Sequence, residues 1–397
     1  MQVLRQQIGA EATPTSGGML TTGWRVPVAL ALAMAVAYFL TAQLSLALLT
    51  KPDGVAVFWP AAGIASGTLI ALGPAAALPV SVAVVIASTA ASLVSDRSFI
   101  AGLIFGLCNA GEALLVAGII AHHFGADFRL ESLRSVLGMF AAAAIAAALS
   151  GAVATVGFIF FHSSSAPVAS IWLNWFASDA LGIVMVAPLL IGFRGLSLDR
   201  PGGWEVAQGT LTLAALAIVS VVAFGCPAHY WYTVLPLGLL LPVLLAAHCR
   251  PVFAAAAVLI LGFSVVWTAT FGLGELGELP TLQDRAYAAR ATLLALATCT
   301  LVLAALFAER RHKEAILEDR NDRLQLALEG AELGVWSIDA KSGRFESDAR
   351  DQQIHGYHSD APPKTVLEAR PFVHPDDLAN LDAAFTSAIR AGSSCNA

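Results

Sequence analysis

The chain has 397 residues, of which 57% are hydrophobic and 13% are charged, and its mean hydropathy is +0.73. Soluble domains carry about 25% charged residues, so the composition excludes an ordinary soluble protein and indicates an integral membrane protein. The net charge of −6 carries little information because the charges lie mainly in loops and in the C-terminal tail, and no nucleic-acid partner is predicted.

Residues 1–23 are polar and rich in Gly, Ser and Thr, which predicts a disordered cytoplasmic N-terminus. This segment lacks the apolar core and small-residue cleavage site of a signal peptide, so the first span is expected to remain as an anchor.

Apolar runs long enough to cross a bilayer follow in succession. They lie near residues 26–49, 57–73, 75–94, 99–121, 133–160, 168–193, 206–225, 230–248, 251–272 and 287–308. The second and third runs are short and are separated only by Gly73-Pro74. They form either two spans or one hairpin that enters the membrane and returns. The sequence therefore predicts an all-α helix bundle of eight to ten spans.

The distribution of basic residues predicts the orientation, because cytoplasmic loops are enriched in Lys and Arg. With a cytoplasmic N-terminus, the basic residues of the cytoplasmic loops include Arg25, Arg129, Arg134, Arg194, Arg250, Arg310 and Arg311. The opposite side holds Lys51, Arg97, Arg285 and the borderline Arg290. Both termini are therefore predicted to be cytoplasmic.

The stretch AVFWPAAGIASGTLIALG, residues 56–73, predicts a tightly packed interior helix. Gly63 and Gly67 form a GxxxG pair, and lipid-embedded helices associate through such small faces. Gly102 and Gly106 repeat the spacing, so their helix is the expected partner. Trp59 precedes Pro60 and suits a membrane interface.

Polar side chains within the spans are the candidate site residues. Asn109 and Glu112 lie three apart on one helix face, and Asp179 shares a face with Trp172 and Trp175. Buried carboxyl groups are costly in a membrane and often mark a function. No Lys or Arg is expected at a similar depth. A role in binding a ligand, ion or proton and a purely structural role in interhelical hydrogen bonding both remain open.

Catalytic and metal-binding motifs are not recognised. The sequence contains no P-loop, HExxH or GxSxG motif, and its histidines and five cysteines lack metal-ligand spacing. No catalytic domain, cofactor or metal is therefore predicted for this chain.

Beyond Ala308 the composition becomes charged. Residues 309–330 predict a linker helix that continues the last span without a Gly or Pro break. Its residues at alternating four- and three-residue steps, typical of a short coiled-coil seam, are Leu317, Asn321, Leu324 and Leu328. The helix is either a solvated linker or a rod that transmits motion from the membrane.

Residues 331–397 predict a small α+β domain, in which GVWSIDAKSGRFE forms a β-hairpin. Two strands alone are marginally stable.

Two sequence stretches in the membrane region carry a resemblance to a known family. FWPAAGIASG begins at Phe58, and WLNWFASDALGIVMVAPLL covers residues 172–190. Residues 24–308 resemble the first family of bacterial membrane-associated sensor domains, the MASE type. That family is usually described with about eight spans, and the resemblance implies a sensory input module.

The tail, residues 331–397, resembles the N-terminal portion of a PAS domain. The resemblance rests on AELGVWSID from Ala331, IHGY from Ile354 and VHPDD from Val373. A PAS fold has a five-stranded sheet, often with a small-molecule pocket, and the chain stops before the last three strands would form. We therefore expect a truncated PAS domain in a fragment of a longer protein.

These resemblances imply a membrane-embedded input module upstream of a histidine kinase or of an enzyme of cyclic di-GMP metabolism. The implied partners are the lipid bilayer, a second copy of the chain joined through the bundle and the linker helix, and an unknown small-molecule or membrane-derived signal. The alternative function is a transporter or permease that uses the buried carboxyl groups.

Overall fold

The computed structural model describes residues 25–47, 56–161, 167–198, 201–225, 231–339, 342–357 and 362–391. It is 83% helical. One compact unit extends to Arg311, and a second begins at His312. The N-terminal segment 1–23, predicted to be disordered, lies outside the described residues.

Eleven helices are described from Arg25 to Gly330. They are α1 (Arg25–Ala47), α2 (Pro60–Leu72), α3 (Ala77–Val94), α4 (Phe99–Phe124), α5 (Leu133–Phe161), α6 (Val168–Leu198), α7 (Gly203–Gly225), α8 (Trp231–His248), α9 (Pro251–Phe271), α10 (Gly274–Gly277) and α11 (Leu282–Gly330).

Eight of the described helices are long and apolar enough to cross a membrane: α1, α3, α4, α5, α6, α7, α9 and α11. Eight is the lower end of the predicted range. Two shorter apolar helices are α2 and the Gly238–His248 part of α8. Large apolar side chains face outward from the spans, such as Leu32, Val36 and Leu40 on α1, which are 58–63% exposed. The chain is therefore a multi-pass membrane protein whose helices contact lipid.

Helix α2 is a short interior helix. Its 13 residues span roughly 20 Å at 1.5 Å per residue, less than a hydrocarbon core of about 30 Å. It ends where Gly73 adopts a φ of 77°, and a short 3-10 turn at Pro74–Ala76 then leads into α3. This break occurs at the Gly73-Pro74 junction noted in the sequence.

Small residues let α2 lie against α6 at backbone distance. A Cβ atom added at Gly63 would collide with the carbonyl oxygen of Gly182 and would lie 2.7 Å from the Cβ of Val186. One added at Gly67 would lie 2.8 Å from the Cα of Ala187. Because only glycine fits so close a crossing, the GxxxG pair fixes the position of α2 on α6.

Gly102 and Gly106 do not face the Gly63/Gly67 pair, although the sequence offered them as its partner. Gly102 and Gly106 on α4 face α3, where added Cβ atoms would lie 3.0 Å from the Cβ of Ser92 and 2.9 Å from the carbonyl oxygen of Val85. The two glycine motifs thus serve two separate helix pairs, α2–α6 and α3–α4. Sequence spacing marks a close-packing face but does not name the helix that covers it.

The C-terminal unit contains the predicted hairpin. Strand β1 (Trp336–Ile338) pairs antiparallel with β2 (Phe345–Ser347), and Ile338 faces Phe345 in the register. The other elements are α12 (Ala349–His355), α13 (Val366–Ala369) and α14 (Leu378–Ala391). Among the described residues the sheet has two strands.

We expect Gly63→Ala to lower the free energy of unfolding of the bundle by about 1–3 kcal/mol, because the added methyl group forces α2 and α6 apart. The measurement is SDS-induced unfolding in mixed micelles. The matched control is Gly118→Ala on α4, where an added Cβ meets no atom within 4 Å. Equal stability of the two variants would contradict the crossing.

Candidate functional site

A narrow pocket lies at the end of the bundle where α2 begins and where α3 turns into α4. Its chemistry comes from Trp59, Arg97, Phe105, Asn109, Trp175 and Asp179, and we call it the Trp59 pocket. The centre of a water molecule can move through about 30 Å³ of it. Since one water needs roughly 10–15 Å³ by this measure, the pocket has room for about two waters.

The segment that leads into α2, residues 56–59, is held on α6 by the backbone. The amide of Trp59 donates to the carbonyl oxygen of Ser178 at 3.1 Å. The indole Nε1 of Trp59 donates to the hydroxyl of Tyr38 on α1 at 3.3 Å. Trp59 therefore joins α1, α2 and α6. The sequence predicted a position at the membrane interface for this residue, and the structure adds its role in linking three helices.

Polar side chains from α3, α4 and α6 converge below this segment. The Asn109 amide Nδ2 donates to Ser88 Oγ at 3.2 Å. Ser178 Oγ donates to Asp179 Oδ1 at 3.4 Å. Glu112 and Asp179 are each 3% exposed, and their carboxyl groups are close enough for the charge of one to affect the other. The fold thus brings Asn109, Glu112 and Asp179 into one cluster.

Acceptor oxygens outnumber donors in this cluster. Within the described part of the chain, both carboxyl oxygens of Glu112, Oδ2 of Asp179 and Oδ1 of Asn109 are buried without a hydrogen-bond partner. Buried polar groups in folded proteins are almost always hydrogen-bonded. Two buried donors near the acids, Ser150 Oγ and Trp175 Nε1, also lack a partner among the described residues. Four unpaired acceptor oxygens thus face two unpaired neutral donors, which leaves capacity for a further donor or a positive charge.

Aromatic rings form the other wall of the pocket. The rings of Trp175 and Phe105 lie 5.1 Å apart between centroids. The guanidinium carbon of Arg97 lies 5.6 Å from the centroid of the Phe105 ring. Trp172 does not join this wall: its Nε1 donates to the carbonyl oxygen of Ala148 on α5 at 3.1 Å, and its ring stacks on Phe176.

Arg290 is a site residue that the sequence reasoning missed. It is 8% exposed. Its guanidinium donates to the carbonyl oxygens of Ala56 and Val57, each at 3.1 Å, and to Asn174 Oδ1 at 2.5 Å. The sequence assigned Arg290 only as a borderline residue on the side opposite the cytoplasm, whereas the fold buries its guanidinium against α6 and the segment before α2. Arg290 falls inside the predicted span 287–308, and a basic residue within an apolar span could have marked it as a candidate.

The other end of the membrane part of α11 is held by a second arginine. Arg311 donates to the carbonyl oxygens of Ala247 at 2.6 Å and Cys249 at 2.9 Å. These carbonyls belong to the C-terminal end of α8, where unpaired helix carbonyls attract cations. Helix α11 is thus bonded to the rest of the bundle through one arginine near each end of its span.

The C-terminal unit has a pocket of its own. It is lined largely by aromatic and aliphatic side chains, including Trp336, Phe345, Tyr357 and Phe385. Asp351 is 2% exposed at its edge, and its Oδ1 lies 3.1 Å from Nδ1 of His355. Burial raises the pKa of the Asp351 carboxyl, while the neighbouring His355 acts in the opposite direction.

Neither unit contains a recognisable metal centre in the described residues, where no group of three His, Cys, Asp or Glu side chains lies together. The Trp59 pocket nevertheless offers carboxyl, amide and hydroxyl oxygens beside aromatic rings. That set suits a small polar ligand or a proton better than a transition metal, which prefers imidazole or thiolate ligands.

Comparison with protein families identifies the membrane region. The family model MASE1 matches residues 28–311, most of the chain. The chain belongs to the MASE1 family. MASE1 is a membrane-associated sensor domain of signalling proteins, and the resemblance noted in the sequence over residues 24–308 covers nearly the same region.

No curated protein and no solved structure matches the chain. The assignment to MASE1 therefore rests on the family model and extends to the bundle, which contains the Trp59 pocket, Arg290 and the span of α11.

We expect Arg290→Met to lower the free energy of unfolding of the MASE1 bundle by roughly 3 kcal/mol. The substitution leaves two backbone carbonyls and one amide oxygen without their donor in the interior. Arg290→Lys keeps the charge but cannot reproduce the planar fork, so an intermediate loss is expected. SDS-induced unfolding measures both. A loss below about 0.5 kcal/mol for Arg290→Met would contradict this role.

Proposed function

We propose that this chain is the membrane-embedded sensory input module of a bacterial signal-transduction protein. One observation carries the proposal: α11 bonds through Arg290 to the segment leading into the Trp59 pocket, and the same helix continues unbroken to Gly330. A change at the pocket has a covalent and hydrogen-bonded route into the helix that leaves the bundle.

The mechanism is a conformational equilibrium biased at the pocket. Occupation of the pocket alters the packing of Trp59, which is hydrogen-bonded to Ser178. Ala56 and Val57, three and two residues before Trp59, accept the hydrogen bonds of Arg290. A ligand shifts such an equilibrium only by its differential affinity for the two states, so the pocket residues set the size of the response.

The output of the parent protein is proposed to be a histidine kinase or an enzyme that makes or degrades cyclic di-GMP. Residues 331–397 act as a PAS-like relay, supported by the hairpin and by the pocket lined by Trp336 and Phe385. The proposed organisation is a cytoplasmic N-terminus (1–23), a membrane sensor (24–308), a linker helix (309–330) and a partial PAS domain.

The proposed partner for signalling is a second copy of the chain. Leu317 and Leu324 on α11 are 61% and 58% exposed, and their spacing suits a parallel coiled-coil seam. Two identical membrane-anchored helices enter the cytoplasm in the same direction, so parallel pairing is the geometry available to them.

We place the bundle in the inner membrane with both termini in the cytoplasm. The Trp59 pocket then opens toward the periplasm. A separate cleft is lined by Arg129, Arg250, Pro188 and Leu301. In the proposed orientation this cleft lies on the cytoplasmic side, where basic residues are enriched.

A second candidate function is transport. Two features favour it: the buried Glu112–Asp179 pair, and α2, which ends within the membrane region at Gly73. Transporters place coupling sites at broken helices. A transporter moves a substrate across proteoliposome membranes, whereas a sensor changes the conformation of α11 without net flux.

The test is the effect of Asp179→Asn on α11. The full chain is placed in nanodiscs with a spectroscopic label at position 324, introduced as an unnatural amino acid. We expect Asp179→Asn to change the label spectrum while the unfolding midpoint changes little, because the substitution is nearly isosteric. The control is Asp127→Asn, an exposed acid outside the pocket. Identical spectra for Asp179→Asn and wild type would contradict the sensor function.

A further inference from the structure

The Glu112–Asp179 pair carries more negative charge than its surroundings balance. Two neighbouring carboxylates in an apolar interior repel each other, and each also loses its hydration. One proton held between them removes one charge and supplies a donor to an oxygen that otherwise lacks one. The buried, unpartnered oxygens of Glu112 and Asp179 are where such a proton would sit.

The groups around the pair do not supply that charge. Tyr38 on α1 and Cys108 on α4 lie near both carboxyl groups, and neither is a cation. Helices α2 and α3 contain no titratable residue, and the only one in α5 is Arg134 near its start. Arg97 lies at the pocket beside Phe105, and Arg290 is bonded to Ala56, Val57 and Asn174.

The pocket provides a route for the proton. Asp179 lines the Trp59 pocket together with Asn109, whereas Glu112 lies behind them on the next turn of α4. The pocket has room for about two waters by the volume given above. Water can therefore bring a proton to Asp179, which shares it with Glu112.

We propose that Glu112 and Asp179 form a proton-binding site that holds one proton between the two carboxyl groups and exchanges it with water in the Trp59 pocket. The ligand is a proton delivered by hydronium, and its uptake changes the charge of the pair from −2 to −1. This inference rests on the proposed function, for which it names the signal: acidity on the pocket side of the membrane.

The first measurement is infrared difference spectroscopy of the full chain in nanodiscs. As the pH is lowered from about 8 to about 5, we expect the carbonyl stretch of a protonated carboxyl group in an apolar environment to grow. Glu112→Gln and Asp179→Asn should each remove this band or shift its frequency, because each removes one of the two groups that share the proton. Asp127→Asn is the control and should leave the band unchanged.

Exchange into D₂O tests the route in the wild-type protein and does not depend on the folding of any variant. A downward shift of the band within minutes, faster than global unfolding, supports access through the pocket. The proposal would be overturned if the wild type showed no protonated band, if the band were unchanged in Glu112→Gln and in Asp179→Asn, or if the band did not exchange. A bound sodium ion would appear as two ionised carboxylates and a sodium-dependent spectrum, which also overturns it.

The two proposals fail in different ways. An exchangeable proton band without any response of the label at position 324 to acidification leaves the proton site intact and removes the sensor function. A label that responds to Asp179→Asn, in a protein that lacks the band, leaves the sensor function intact and removes the proton site.

Discussion

The backbone contact between α2 and α6 is the constraint on which the rest of the bundle depends. Gly63 meets Gly182 with no space for a side chain at either position, and the amide of Trp59 is bonded to α6 one turn away. Lipid provides no hydrophobic drive for helix association, so such close packing must hold the helices together. The same contact places Trp59 and Asp179 in one pocket and positions Ala56 and Val57 as acceptors for Arg290.

Asp179 and Gly182 lie on one turn of α6, so the site and the packing contact share a single element. The helix crossing therefore fixes the position of Asp179 relative to α2. The rigid crossing leaves the acidic cluster little freedom to rearrange, and the narrow pocket limits the water that reaches it. Gly182, which contacts α2, lies three positions after Asp179, so a movement of α2 on α6 would also change the surroundings of the carboxyl group.

Much of the membrane architecture was predictable from the sequence. Apolar runs, the Gly73-Pro74 break and the GxxxG pair follow from the properties of lipid and of glycine, which act locally along the chain. The α2–α6 pairing and the role of Arg290 were not predictable, since they depend on which helices become neighbours. Asn109, Glu112, Trp175 and Asp179 could be selected as polar or aromatic groups in apolar spans. Their convergence, and the separation of Trp172 from them, required the fold.

The continuity of α11 has a consequence for how such modules can be joined to other domains. In an α-helix each residue turns the chain by about 100°. An insertion of one residue after Arg311 would therefore rotate every later side chain around the helix axis, whereas seven residues would nearly restore the original direction. Arg290 and Arg311 fix the phase of this helix at the membrane. Recombination between input and output domains is then constrained by linker length in steps of about seven residues, independent of the chemistry of either domain.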